Sequence, residues 1–278
     1  MTSQMDKPQT AKPKATSEHD PQSDVSASGP HSTGQKFLDN VKSELPFFLG
    51  VLGVVFTFRL LFFGMNYIPS ESMQPALEVG DRIVVNKFVY GYSRHTVPFS
   101  LAPKFPGQNG RIFGRTPKRG EVVTFKNPLQ DNKIFIKRVV GLAGDTVQYR
   151  GGSLFVNGIN VSRTKIANFD YRSYRGGVLN VTHYEEKLDD GKSYEIFEQS
   201  DGDFADNTPI FEVPEGHIFV MGDNRDNSID SRYLERGVGY LPIENLLGRA
   251  DRILFSTYRC KKAEGLRCAK RGLFKAIN

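Results

Sequence analysis

From Leu45 to Phe63 the chain is largely apolar over 19 consecutive residues, LPFFLGVLGVVFTFRLLFF. At about 1.5 Å of rise per residue such a stretch matches a hydrocarbon core of about 30 Å. Pro46, at its start, argues against a simple span. Arg59 lies four residues from the end, close enough to snorkel toward an interface. Residues 1 to 44 are dominated by Ser, Thr, Pro, Gln and charge, the composition of a disordered tail, and give this segment nothing to pack against. It therefore predicts a membrane anchor over 45–63. A cleavable leader is disfavoured because the segment starts after 44 residues.

After the anchor, roughly 215 residues remain, enough for one large or two small domains. They read as short strands punctuated by Gly, Pro, Asn and Asp, a mainly β antiparallel sheet or barrel-like fold. Asn157-Gly158 and Asp190-Gly191 are hairpin turn signals. Both fall in a stretch that predicts an inserted β subdomain at 150–211, with the catalytic β domain built from 64–149 and 212–258. Tyr92 to Lys118, rich in Pro and Gly, predicts an extended loop or flap. Residues 259–278 form a basic tail.

The chemistry is carried by serines and a lysine. A serine hydroxyl attacks only if a neutral base takes its proton. His19, His31, His95, His183 and His217 are the histidines, none beside a serine elbow, and no G-x-S-x-G occurs. Lysine serves as base only when burial destabilises its ammonium. In KIFIKRVV (Lys133 to Val140) strand alternation puts Phe135, Lys137 and Val139 on one face and Ile134, Ile136 and Arg138 on the other. Lys137 is thus flanked by apolar groups in a run that is apolar on both faces, which predicts a buried strand and a depressed pKa. The plainer alternative is a lysine on a solvent face.

IPSESM (Ile68 to Met73), RGEVVTF (Arg119 to Phe125), IFIKRVVGLAGD (Ile134 to Asp145) and VMGDNRDNSIDSR (Val220 to Arg232) follow one another as in bacterial type I signal peptidases, the family this chain resembles. Gly222 to Arg232 matches the family signature at every position but the variable one, Ile229. The resemblance implies Ser72 as nucleophile, Lys137 as general base, Ser70 as oxyanion-hole donor beside the Ser72 backbone N–H, and Ser228 as the serine aiming the lysine. Asp230 and Arg232 resemble a pair that braces the loop. Ile68, Pro69, Met73, Leu77, Phe135 and Ile136 are implied to bind substrate, partly through a shallow pocket that suits the small-x-small cleavage sites of exported precursors. Extended backbone near Tyr67 to Ser70 and Ile134 to Ile136 suits capture of an extended peptide. The implied activity is removal of signal peptides by a serine endopeptidase through an acyl-enzyme, without a cofactor. The implied partners are signal-peptide-bearing preproteins and membrane lipid, with no nucleic acid, for a monomer near the export machinery. Two departures stand out: Ala76 where many members have threonine, and Glu71 where glycine is frequent, neither supplying a catalytic atom.

Other readings are weighed against this one. Ser70 and Ser72 after Pro69 also suit a hydrogen-bonded turn. GDNRDNSIDSR lacks the glycine and terminal glutamate of a calcium loop. A self-cleaving repressor with a Ser-Lys dyad requires a helix-turn-helix where this chain has a polar tail and an apolar span. A silent anchored β module remains the third class. Of 37 basic and 31 acidic residues, five and six lie in residues 1–44, which leaves a net +7 beyond the tail. Arg259 to Asn278 carries seven basic groups and one acidic, suited to anionic headgroups or to a solvated end. Cys260 and Cys268 are the only cysteines, too few for a zinc site and free to form a disulfide in an oxidising compartment. Lys36 and Lys42 before the span, against Arg82 after it, favour an inside N-terminus. The resemblance places the domain beyond residue 64 on the outer face of the cytoplasmic membrane.

Overall fold

The computed structural model describes residues 33–96, 105, 108–130, 133–202, 204–257 and 273–277. Cys260, Cys268 and most of the basic C-terminal segment lie outside the described residues, as does part of the 92–118 loop. The chain divides after Leu52 into two compact units. In the first, the described residues belong to one helix, α1 (Thr33–Phe62), which runs on into the second. Its Asn40–Phe62 stretch is long and apolar enough to cross a membrane, with a mean hydropathy of 2.1. Pro46 is accommodated inside the helix. At the other end α1 leaves carbonyls without intrahelical donors. Lys87 answers them twice, its N–H donating to Phe62 O at 3.0 Å and its Nζ to Leu60 O at 3.1 Å. Tyr92 Oη donates to Leu61 O at 3.2 Å.

In chain order the strands are β1 (Phe63–Tyr67), β2 (Asp81–Asn86), β3 (Tyr92–Ser93), β4 (Arg111–Ile112), β5 (Val122–Lys126), β6 (Ile134–Gly141), β7 (Thr146–Arg150), β8 (Ser153–Val156), β9 (Ile159–Asn160), β10 (Ser162–Arg172), β11 (Val178–Lys187), β12 (Ser193–Glu198), β13 (Phe211–Glu212), β14 (His217–Met221), β15 (Leu241–Pro242), β16 (Leu246–Ser256) and β17 (Lys275–Ala276). The mainly β, antiparallel fold read from the sequence is the one observed. The largest sheet runs β1-β2-β16-β5-β6-β14-β15, with β17 also on β16. A second sheet orders β13-β7-β8-β9, a third β10-β11-β12, and β3 pairs with β4.

Both hairpin signals are used. Asn157 and Gly158 link β8 to β9 at φ 54 and 76, the double left-handed step that a tight hairpin requires. Gly191, at φ 82, closes the β11–β12 hairpin, where Leu188 pairs with Lys192. Strand β14 and β6 from Lys137 on are buried on both faces. Val139, Ile218 and Val220 enter one apolar cluster with Phe125 and Leu246, while Val140, Phe219 and Met221 enter another with β7, β8 and β12. That double burial accounts for the apolar residues at Val139 and Val140, whereas Ile134 is exposed and Phe135 and Ile136 are partly buried.

Of the four arginines buried among the described residues, Arg111 donates to main-chain carbonyls and the other three each sit on their own carboxylate. Arg138 grips Asp223 through two bonds of 2.7 Å, Arg225 grips Glu186 at 2.7 and 2.5 Å, and Arg232 meets Asp230 twice at 3.0 Å. Glu186 lies on β11 and Arg225 just after β14, so this pair fastens the third sheet to the first. Removing one partner of a buried pair strands the other charge away from water. Glu186→Ala is therefore expected to destabilise the protein by about 3 to 5 kcal/mol, whereas exposed Asp190→Ala, which loses only the surface contact to Lys192, should leave the unfolding midpoint close to that of wild type; denaturant unfolding of both variants in detergent measures the difference.

Candidate active site

Ser72 sits in the loop between β1 and β2, and Lys137 on β6, 65 residues away. The loop is folded on itself: Gln74 N–H donates to Glu71 O at 3.0 Å and Leu77 N–H to Met73 O at 2.8 Å. Below it Ile68, Met73 and Leu77 are buried in one apolar cluster with Ile83, Val85, Val122 and Ile253, and Ile136 packs against that cluster. The Lys137 amine ends 2.7 Å from Ser72 Oγ and 3.0 Å from the Ile136 carbonyl. Lys137 is 4% exposed, which settles the sequence-level choice between a buried and a solvent-facing lysine.

Burial pushes the Lys137 amine down to about 8, against the upward pull of Asp230 and Asp223 and with a smaller downward push from Arg232. An amine so shifted is substantially neutral in weakly alkaline solution, the state in which it accepts a proton. Asp230 is exposed to the same burial, but the charge and hydrogen bonds of Arg232 and the Gly222 N–H hold it below the usual carboxylate range.

The other residues singled out from the sequence fall into distinct places. Ser70 is exposed, its Oγ 3.4 Å from Ser72 Oγ. Ser228 is buried, and its hydroxyl makes no hydrogen bond to Lys137 or to any other group among the described residues. It lies instead against Gly222, where a Cβ would stand 2.2 Å from Ser228 Oγ and 2.5 Å from Ser72 O; only a residue without a side chain lets the two serine-bearing loops approach so closely. Asp230 and Arg232 brace the Asn224–Ser231 loop: Asp230 accepts from the Gly222 N–H at 3.0 Å, and Arg232 Nη2 donates to the Arg225 carbonyl. Phe135 does not join the cluster beneath Ser72. Its ring packs on Phe125 at 6.1 Å and lies 5.8 Å from the Lys137 amine. Pro69 is exposed.

Sequence reasoning missed the partners that complete this region. Asp223 and Glu186 hold buried arginines, and Glu71, set aside as a departure without chemistry, is buried and hydrogen-bonded. For Asp223 and Arg225 the density of charge in GDNRDNSIDSR between apolar strands was an available signal, since so many charges in a core must pair. For Glu186, in an alternating strand of an exposed hairpin, the local sequence carries none.

Among the described residues one set of carboxylates, Glu198, Asp206 and Asp226, offers oxygens within 4.8 Å of one another. Burial, opposed by Arg225 and reinforced by Asp226 and Asp206, pushes Glu198 up to about 9.

The "Signal peptidase, peptidase S26" family model matches residues 41–255. The signal peptidase I of Rickettsia typhi (strain Wilmington) is 34% identical over 78% of this chain and 81% of its own length. That of Rickettsia akari (strain Hartford) is 35% identical over 74% and 77%. A solved signal peptidase I from Enterococcus faecalis V583 aligns with 49% of this chain and 97% of its own at 27% identity, but with a TM-score of 0.29, too low for structural argument. With a family model over most of the chain and relatives matched along most of their length, this protein belongs to the signal peptidase I family of serine endopeptidases, which remove signal peptides from preproteins.

Proposed function

We propose that this protein cleaves exported preproteins after small-x-small sites, with Ser72 as nucleophile and Lys137 as general base. The observation that carries this reading is the buried amine 2.7 Å from Ser72 Oγ, with its pKa lowered to about 8. As Ser72 Oγ bonds to the scissile carbonyl carbon, its proton passes to Lys137 Nζ and the carbonyl oxygen becomes an oxyanion. Ser70 Oγ and the Ser72 N–H donate to that oxyanion. When the C–N bond breaks, the ammonium of Lys137 protonates the leaving amine, which restores the neutral base and leaves an ester on Ser72. Water then gives a proton to Lys137 as its oxygen attacks the ester, and the proton returns to Ser72 Oγ when the signal peptide departs. Ser228 steadies the lysine on this reading, through a side-chain rotamer that brings its hydroxyl to the amine, while Asp230 and Arg232 hold its loop.

Substrate fits along free backbone. Strand β14 pairs with β6 from Gly141 only as far as Arg138, so Ile134 to Lys137 keep one edge open while the other is paired to β5. Opposite, β1 continues into Ile68, which pairs with Gly80 and Asp81, and then into exposed Pro69 and Ser70. A peptide strand laid between these segments gains main-chain hydrogen bonds independent of its sequence. Ile68, Met73, Leu77 and Ile136 form an apolar floor that admits a small residue before the cut, and Phe135 closes the side toward the amine. The anchor, read as a single span of the cytoplasmic membrane with residues before it inside, keeps this cleft at the outer surface, where the ends of signal peptides emerge. The enzyme acts there as a monomer close to the export machinery.

The decisive experiment is cleavage of a purified precursor with an Ala-x-Ala site, in detergent. Wild type should cut after the second alanine, and folded Ser72→Ala and Lys137→Ala should not; equal inertness of all three would sink the assignment. Because the neutral amine is the active form, kcat/KM should rise as pH increases through about 8 and then level. A rate that instead falls across that range would exclude Lys137 as base. Ser70→Ala should retain activity reduced by about 10² to 10³ in kcat, the loss typical of one oxyanion donor.

A further inference from the structure

Glu71 separates the two active-site serines, yet its side chain turns away from the cleft and is only 7% exposed. One carboxyl oxygen accepts from Ser173 Oγ at 2.8 Å and from Asn227 Nδ2 at 3.3 Å, and the other accepts from the Tyr174 N–H at 2.6 Å. Its backbone carbonyl accepts from Asn224 Nδ2 at 3.2 Å. Ser173 and Tyr174 open the turn between β10 and β11, which is closed by Ser173 N–H to Gly177 O at 2.7 Å. Asn224 and Asn227 belong to the loop that carries Ser228, and the Asn224 N–H donates to Ser72 O at 3.2 Å. Glu71 is therefore a junction of three otherwise separate segments: the nucleophile loop, the Ser228 loop and the tip of a long hairpin.

We propose that Glu71 is a positioning residue for the cleavage reaction, which uses the β10–β11 hairpin tip as a brace to hold Ser72 and the Ser228 loop in register with Lys137. The inference rests on the dyad reading above and extends it to a role for the hairpin. The physical argument is one of donors. Three donors converge on two carboxyl oxygens; the Tyr174 N–H cannot reverse to accept, whereas the Ser173 hydroxyl and, by turning over its amide, Asn227 can. Glutamine has an oxygen at only one end, so it keeps the junction only with that oxygen on the Tyr174 N–H and both other partners reversed, and it loses the stronger bonds of a charged acceptor. Alanine removes the junction altogether. An error of less than an ångström in the Ser72–Lys137 separation is enough to slow a proton transfer made at hydrogen-bond distance.

The test compares wild type, Glu71→Gln, Glu71→Ala, Ser173→Ala and the double variant Glu71→Ala/Ser173→Ala on the Ala-x-Ala precursor, together with amide exchange at Tyr174 and Asn224 to Ser228. Glu71→Ala should lose about tenfold or more in kcat with KM changed by less than about twofold, and Glu71→Gln, which can keep the junction when Ser173 and Asn227 reverse, should lose less. Ser173→Ala, which removes a donor to Glu71 and no bond to Ser72 or Ser228, should lose kcat as well. The double variant should be no worse than Glu71→Ala alone, because both act through one contact. Exchange in Glu71→Ala should speed up at Tyr174 and at Asn224 to Ser228 together. Wild-type kcat in Glu71→Ala, or additive losses in the double variant, would overturn the proposal. If wild type itself failed to cut the precursor, the dyad reading would be at fault, and the exchange data would decide the junction by themselves: unchanged protection at both segments would refute it.

Discussion

The approach of one buried lysine amine to one serine hydroxyl inside the protein is the constraint around which this fold is arranged. Lysine is a base only where water is excluded, and exclusion costs free energy that the surrounding structure must offset. Strand β6 achieves it by lying between two apolar clusters, so that Lys137 emerges near the strand's open end with its stem in the core and its amine at the cleft. Carboxylates nearby would restore the charge if they were unpaired. Asp223 and Asp230 do pull the amine upward, yet each is held by its own arginine, and desolvation remains the larger effect.

That explains why so much charge is buried in a small protein. Arg138, Arg225 and Arg232 are each matched to a carboxylate in two-bond geometry, which satisfies directional donors as well as net charge. Such pairs are weak evidence for stability, since apolar replacements of the same shape do as well. Their value here is placement. Each arginine has one carboxylate in one geometry and spends remaining donors on main-chain or tyrosine oxygens, and together the pairs fix the Gly222–Arg232 loop against β6 and β11. Gly222 then permits the contact between the Ser72 and Ser228 loops that any side chain would block.

The local parts of this architecture were legible beforehand. Strand alternation in Ile134 to Val140 placed Lys137 among apolar neighbours, and Asn157-Gly158 and Asp190-Gly191 marked hairpins, because such signals depend only on adjacent residues. The implied pocket residues were less uniform than their grouping suggested. Met73, Leu77 and Ile136 gather in one cluster, whereas Phe135, one step along the same strand, faces Phe125 and the amine, as the two-residue period of a strand requires.

The sequence by itself determined the chemical inventory: an apolar helix, a β-rich remainder, a serine pair on a turn, and a lysine in a strand too apolar to leave it in water. It determined these because each is a property of neighbours along the chain. Tertiary structure alone decided that Ser72 meets Lys137, that Glu186 on β11 answers Arg225, and that Glu71 reaches the tip of the β10–β11 hairpin. Those partners are 65, 39 and 102 residues apart. Contacts at such separations follow from strand order and loop packing, and for a charged or polar side chain no local pattern tells which distant donor will satisfy it.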